Sequence, residues 1–379
     1  MELALSDEQE LLRDTTRRFL SEQAAPAQLR QWRHHPRGHD PGYWRKGTEL
    51  GWTALLADEA AGGGSVSGDG LSDLALIAHE FGRQASPGPL LSANVVAAAL
   101  SRRGTTEQRD TVVSEVLNGG IATWCHAEPA PNHAFSAVAT RLVPHRSGFA
   151  LVGRKSPVEH GCDAEHFLVS AQADAGITQV LVPRDAGGMT VTPLESVDLT
   201  RRFSEVVFDH TPVPRSGVVG TPGAAGDDLE WQLQVALAIQ LNEMVGAMER
   251  SFEMTLEWAF DRYSFGRPLA SYQELKHRFA DMKCWLEASH GLANAATRAV
   301  QRELPDAAEL VSAAKSYIAH HGAELCQDCV QIHGGLGVTF EHDLHLYLRR
   351  VTLGAVTHGT IRDHRLRLAA ILEAEKAKS

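Results

Sequence analysis

Cysteine and histidine are the residue types here that first invite a chemical reading. Cys326-Gln-Asp-Cys329 has the spacing of a redox dithiol or of half a zinc site. No second pair accompanies it, and the run Ala-Glu-Leu-Cys-Gln-Asp-Cys-Val-Gln-Ile reads as helix, so two small buried helix residues are expected. The five cysteines (Cys125, Cys162, Cys284, Cys326, Cys329) are an odd number in a long chain, which argues against a disulfide framework. Among 19 histidines, His333, His342 and His345 come nearest to a metal cluster. No His-Glu-x-x-His or comparable constellation appears, and no metal is expected. The glycine-rich stretch from Gly62 to Gly70 lacks the Gly-Lys-Ser/Thr or Gly-x-Gly-x-x-Gly needed to cradle phosphate. It reads as a flexible turn before a helix over 71–84, whose apolar stripe is Leu74, Ile77 and Phe81.

The chain that must position such residues has 379 of them, with 36 Lys+Arg against 47 Asp+Glu and a formal net charge of −11. An acidic balance argues against a nucleic-acid binder, which needs a basic surface. At 43% hydrophobic the chain is too apolar to be disordered. No run of about 18 apolar residues occurs to span a membrane. The opening Met-Glu-Leu-Ala-Leu-Ser-Asp-Glu puts acids where a signal or transit peptide wants bases, so a cytoplasmic protein is expected.

Three stretches follow from the patterning, mainly α with a central β region. Residues 1–116 read helical, opening on Ser6 as an N-cap with Gln9 three residues on. Over 117–222 short β-rich runs alternate with turn residues: Ile121-Ala-Thr-Trp-Cys, Phe149-Ala-Leu-Val-Gly, His166-Phe-Leu-Val-Ser, Gln179-Val-Leu-Val-Pro and Val206-Val-Phe. They suggest a small sandwich or barrel, leaving through a linker at Pro212, Pro214, Gly217, Gly220 and Gly223. Residues 223–379 read as four long helices, about 228–262, 272–302, 306–331 and 345–374, with the short connections of a bundle.

Several motifs, in this order, resemble those of the acyl-CoA dehydrogenases. Arg262-Tyr-Ser-Phe265-Gly266 is similar to that family's Arg-x-x-Phe-Gly, followed by Gln273 and Arg278-Phe-Ala-Asp281-Met. Gln331-Ile-His-Gly334-Gly335-Leu-Gly337 resembles Gln-x-x-Gly-Gly-x-Gly, and Glu80-Phe-Gly-Arg and Val213-Pro214 also fit. The resemblance spans essentially the whole chain and implies an N-terminal helical domain, a central β-barrel or sandwich and a C-terminal four-helix bundle. It further implies FAD, an acyl-CoA thioester as substrate, and a carboxylate that removes the α-proton while the β-hydride goes to the flavin. An electron-transfer flavoprotein as electron acceptor fits family habit. The family's FAD straddles two subunits. On that pattern Arg262, Phe265, Gln273, Gln331, Gly334, Gly335 and Thr360 would bind cofactor, the first six through a neighbour's ADP half.

The departures from the family's pattern are the informative part. Aligned without gaps from Leu348-Arg349, the family's Glu-Gly-Thr, which carries the base, reads His358-Gly359-Thr360. The alternative Glu that some members use, 26 residues before the Arg of Arg-x-x-Phe-Gly, falls on Ala236, with Leu237 where an Arg is usual. The ring-pocket motif Thr-Glu-Pro-x-x-Gly-Ser-Asp appears as Ala127-Glu128-Pro129-Ala-Pro131-Asn132-His133-Ala134. Trp-Ile-Thr appears as Pro157-Val158-Glu159, which would set a carboxylate beside an electron-rich reduced flavin.

One half of the FAD site is therefore kept and the other dismantled. The first reading is a heteromer subunit that supplies the ADP half-site to a complete homologue. The second is a self-sufficient enzyme with an unusual base. His358 would serve as a neutral imidazole, or Glu243, which lies two turns after Ala236 on about the same face. The bland alternative for Glu243 is a buried or interface carboxylate paired with an Arg. The third reading is a lyase, dehydratase or binding protein on the same fold. In each case a dimer or tetramer is expected.

Overall fold

The computed structural model describes residues 5–129, 137–146 and 148–376. The chain opens with α1 (Asp7–Gln23), α2 (Pro26–Trp32), α3 (Pro41–Glu49), α4 (Gly70–Arg83) and α5 (Leu90–Arg103). A broken segment follows: α6 (Thr106–Gln108), a π-helical turn and α7 (Ser114–Leu117). Next come strands β1 (Ala122–Cys125), β2 (Arg141–His145), β3 (Gly148–Glu159), β4 (His166–Ala173), β5 (Gly176–Pro183), β6 (Met189–Leu194), β7 (Phe203–Pro214) and β8 (Val218–Val219). The remainder is α8 (Gly226–Asp261), a hairpin of β9 (Tyr263–Ser264) and β10 (Arg267–Pro268), then α9 (Gln273–Gln301), α10 (Ala307–His333), α11 (Leu344–Val356) and α12 (Ile361–Lys376).

These elements gather into two compact units that cut across the sequence stretches. One comprises Met1–Glu10, Leu29–Leu74 and Pro87–Ala236, the other Leu11–Gln28, Ala75–Ser86 and Leu237–Ser379.

In the first unit the strands make one eight-stranded mixed sheet in the order β6-β7-β3-β2-β4-β5-β8, with β1 added parallel to β4. Its core includes Phe167, Val180, Val206 and Phe208, all at most 2% exposed. The expected exit linker is strand at its start: Pro212 and Pro214 lie in β7 opposite Ala150 and Gly148. β2, β6 and β8 escaped the sequence reading because they are short or largely exposed. α5 is buried at every position from Leu90 to Leu100, which suits a helix apolar on all faces. Ser6 and Gln9 form the expected reciprocal cap. The loop read as a flexible turn is pinned instead: Asp73, fully buried, accepts from Val66 N, Ser67 N, Ser67 Oγ and Gln9 Nε2.

In the second unit α10 packs against α9, α11 and α12. Cys326 and Cys329 are buried free thiols on α10. Burial pushes Cys326 far above the ordinary thiol range and Cys329 up to about 11, so neither is a thiolate at neutral pH. Small residues let the backbones approach. A Cβ on Gly82 of α4 would meet the Glu243 carbonyl oxygen at 1.9 Å, and one on Gly246 of α8 would meet that of His79 at 2.0 Å. The last expected helix is two. Left-handed backbone at His358 (φ 55) and Gly359 (φ 97) ends α11, and Thr360 starts α12 by capping with Asp363.

Candidate functional site

In the second unit, the end of α8 builds a tight turn. Arg262 N donates to Trp258 O at 2.8 Å, and Leu269 N returns to Arg262 O at 2.9 Å. Between them Ser264 pairs with Arg267, leaving Phe265 (φ 48) and Gly266 (φ 80) as a two-residue loop of the mirror-image type. A phenylalanine with positive φ is a strained choice, and this one is 98% exposed. The hairpin is tied to the start of α9 by Tyr272 Oη, which donates to Ser264 O at 2.7 Å, so Gln273 follows directly. Arg262 lies over the Trp258 ring at 5.8 Å, and Trp258 stacks on His333 at 5.2 Å. His333 precedes Gly334 and Gly335, and its ring also meets His342 at 4.6 Å. Arg262, Phe265, Gln273, Gln331, Gly334 and Gly335 are thus exposed residues of one linked surface.

The glycines test whether that surface suits a ligand held from outside. Gly334 has positive φ (62), which by itself favours glycine, and Gly337 packs against the Val330 carbonyl. Gly335 has neither reason: a Cβ there would meet nothing within 4 Å. Its bare backbone offers close approach from outside the chain, and with an exposed Arg linked to this stretch through Trp258 and His333 the surface fits a pyrophosphate-bearing group such as the ADP half of FAD.

A second part of this unit holds His358. It is half-buried, on the α11–α12 turn. Lys315, fully buried on α10, donates to Thr357 O at 2.9 Å, to Gln240 Oε1 at 2.5 Å and to Gly354 O. Three ammonium donors meet three acceptors, although burial alone pushes this lysine down to about 7. His364 Nε2 lies 2.9 Å from the His358 carbonyl. Thr360 spends its hydroxyl on Asp363 Oδ2 at 2.7 Å, as a helix cap, which is its visible role in this chain.

Glu243 lies in a buried ion pair with Arg350, whose other amino group donates to Ala85 O and Ser86 O. The bland alternative describes it: it neutralises a buried guanidinium.

The first unit carries the altered ring segments. Glu128 accepts from Lys155 Nζ at 2.7 Å, Thr140 N at 2.9 Å and Ala139 N at 2.7 Å. Burial would raise its carboxyl, but the Lys155 charge and these bonds outweigh that and lower it. Glu159 is ion-paired with Arg201, itself 6% exposed. The charge objection to a carboxylate at this position therefore weakens, because its counter-ion is built in. Ala236, at the alternative base position, is buried. Asn132, His133 and Ala134 lie outside the described residues.

Next to Glu159, His39 and His160 lie buried with their rings 5.5 Å apart. Burial, aided by His160, pushes His39 down to about 3, and burial pushes His364 down to about 4. Both folded values lie below the ordinary 6.5, so the unfolded chain takes up protons first as pH falls. The stability contributed by these neutral rings is complete above about pH 6.5 and falls as the pH drops towards 4. His364→Gln should therefore lose less melting temperature than the parent between about pH 7 and pH 4.5. Equal losses in thermal melts would contradict the assignment.

Arg201, Lys315 and Arg350 escaped the sequence reading. Lys315 and Arg350 left a signal: Lys315 shares a helix face with Val311, Ile318 and Ala319, and Arg350 shares one with Leu346, Tyr347 and Gly354, all buried. Arg201 sits in the polar run Thr200-Arg-Arg, with nothing to mark a buried partner.

Comparison with known proteins bears on both halves. Two family models match, the acyl-CoA dehydrogenase N-terminal domain over residues 6–120 and the C-terminal domain over 231–372. The acyl-CoA dehydrogenase IpdE2 of Mycolicibacterium smegmatis is 28% identical over 372 residues, covering 97% of this chain and 99% of that protein. The acyl-CoA dehydrogenase FadE27 of Mycobacterium tuberculosis is 29% identical over 80% of each. A solved structure of a variant of the Tcur3481-Tcur3483 steroid ACAD matches with a TM-score of 0.89 at 28% identity, over 98% of this chain and 99% of that one. With both family domains matched in order and the fold shared end to end, this chain belongs to the acyl-CoA dehydrogenase family of FAD-dependent oxidoreductases.

Proposed function

We propose that this chain is one subunit of a heteromeric acyl-CoA dehydrogenase. It donates the ADP-binding half-site to a homologous subunit that holds the flavin ring and the catalytic carboxylate. The observation that carries this is the contrast between its two half-sites. The surface of Arg262, Phe265, Gln331 and Gly335 keeps the family's residues, exposed, with an unforced glycine. The ring segments instead carry Ala127, a Glu159–Arg201 ion pair and, in place of the base, His358. The double name of the similar Tcur3481-Tcur3483 protein is consistent with a two-chain assembly here.

Bound FAD supplies a hydride acceptor for the β-hydrogen of an acyl-CoA thioester. This chain's part is to hold the far end of that cofactor. Arg262 offers a charge-assisted contact to pyrophosphate, Gln273 and Gln331 offer amide hydrogen bonds, and Gly335 leaves room for close approach.

Two measurements test the proposal. The chain purified alone should lack the flavin absorption band, and the band should appear when it is co-purified with its homologue. In that complex His358→Ala should change turnover by no more than about two-fold. A flavin band in the solo preparation, with a loss of about 10²–10⁴ in rate on His358→Ala, would instead establish His358 as the base of a self-sufficient enzyme.

A further inference from the structure

In the second unit α4, α8 and α9 bring together His79, Glu249 and His290. One ligand atom from each lies within 4.8 Å of the other two. His79 Nε2 is 3.1 Å from Glu249 Oε2, and His290 Nε2 is 3.8 Å from Glu249 Oε1. The two imidazole rings are 5.5 Å apart, tilted by 41°. His79 Nε2 nevertheless has no hydrogen-bond partner among the described residues. The pair is within ion-pair range, and against the opposing effect of burial the carboxylates of Glu249 and Glu80 raise the His79 imidazole, so a cation entering here must displace a proton from that ring.

The surroundings suit a cation. His79 Nδ1 faces Glu80 Oε1 at 3.6 Å, and Arg17 holds Glu80 through two hydrogen bonds of 2.9 and 2.7 Å. A carboxylate behind the second nitrogen is the arrangement that orients metal-binding imidazoles. Glu249 Oε2 takes Arg83 Nη1 at 2.6 Å, so the ligand carboxylate has a hydrogen-bonded oxygen of its own. Arg83 is shared with Glu253, which it meets at 2.9 and 2.8 Å and which also takes Arg250 Nη1 at 3.2 Å. The His79 Nε2 atom is buried, and the Glu249 and His290 side chains, 26% and 31% exposed, give the solvent side for a fourth ligand.

We propose that His79, Glu249 and His290 form a binding site for a zinc-class divalent cation, with its fourth position open to water. Two imidazoles and one carboxylate match zinc's preference. Bonds of roughly 2.0–2.2 Å in tetrahedral geometry set donors about 3.3–3.5 Å apart, so small side-chain shifts close the site. The ion ties three helices that are distant in sequence, independently of the flavin half-site. It contradicts the expectation of no metal, which rested on local motifs.

The test uses the full chain, freed of metal with a chelator and titrated with zinc chloride by calorimetry. One zinc per chain and a melting temperature raised by about 5 °C are expected. Cobalt(II) in its place should give the intense visible bands of a four-coordinate site. His290→Ala, which leaves the Arg83 ion pairs intact, and Glu249→Gln should each weaken binding at least about 100-fold. A second, more exposed cluster, His320, His321 and Glu324, lies on α10, and His321→Ala should change nothing. Absence of zinc binding, binding unaffected by His290→Ala, or binding lost with His321→Ala would overturn the assignment.

Discussion

Arg350→Ala should cost about 3–5 kcal/mol of unfolding free energy, read as a fall in the denaturant midpoint. Arg350 is 3% exposed, and the Glu243 side chain paired with it 4%. Truncation leaves a buried carboxylate in a site that has lost its counter-ion. It also leaves the Ala85 and Ser86 carbonyls without a donor that now reaches them at 3.2 and 3.0 Å. The pair itself need not be net stabilising, since burying two charges costs much of what their attraction returns. Arg350→Met combined with Glu243→Leu should therefore recover most of the loss, because no orphan charge remains. A single-variant loss below about 1 kcal/mol would show that Glu243 is well solvated, and would reopen its candidacy as a base.

If the proposed two-chain assembly holds its FAD through this surface, Arg262→Ala should strip flavin from it while leaving the fold intact. A charge-assisted contact to pyrophosphate is worth about 1.5–3 kcal/mol, so FAD affinity should weaken about 10- to 150-fold. The side chain is exposed, and its cation–π contact with Trp258 at 5.8 Å is long, so truncation removes little from the subunit itself. The flavin-to-protein ratio and the melting temperature together read the outcome. An unchanged ratio would sink the half-site assignment, whereas a collapsed melting temperature would make Arg262 a structural residue.

The long helices were legible because their apolar spacing holds for many turns. α8, expected over 228–262, runs Gly226–Asp261, and α9 and α10 agree as closely. The break between α11 and α12 was missed although its signals were present. Gly359 and the Thr360–Asp363 cap stood in the sequence, but apolar residues continue on both sides and no proline intervenes. Glu243 shows a different limit. Its face on α8 was readable, but its partner lies 107 residues on, and only folding brings them together. Glu159 with Arg201, and His79 with Glu249 and His290, are legible in space for the same reason.

The contact between Gly82 and Gly246 has a dynamic consequence. Each glycine sits against a carbonyl of the other helix with no side chain between, so α4 and α8 cannot slide past each other or roll at that point. The crossing is a fulcrum. Breathing motions of this unit must pivot about it rather than pass through it, so the amides flanking residues 82 and 246 should be among the last to exchange with solvent. His79 and Arg83 lie within a turn of Gly82 on one helix, and Glu249 within a turn of Gly246 on the other. Their facing charges should therefore keep their separations if the helix ends move, as fixed marks close to a hinge do.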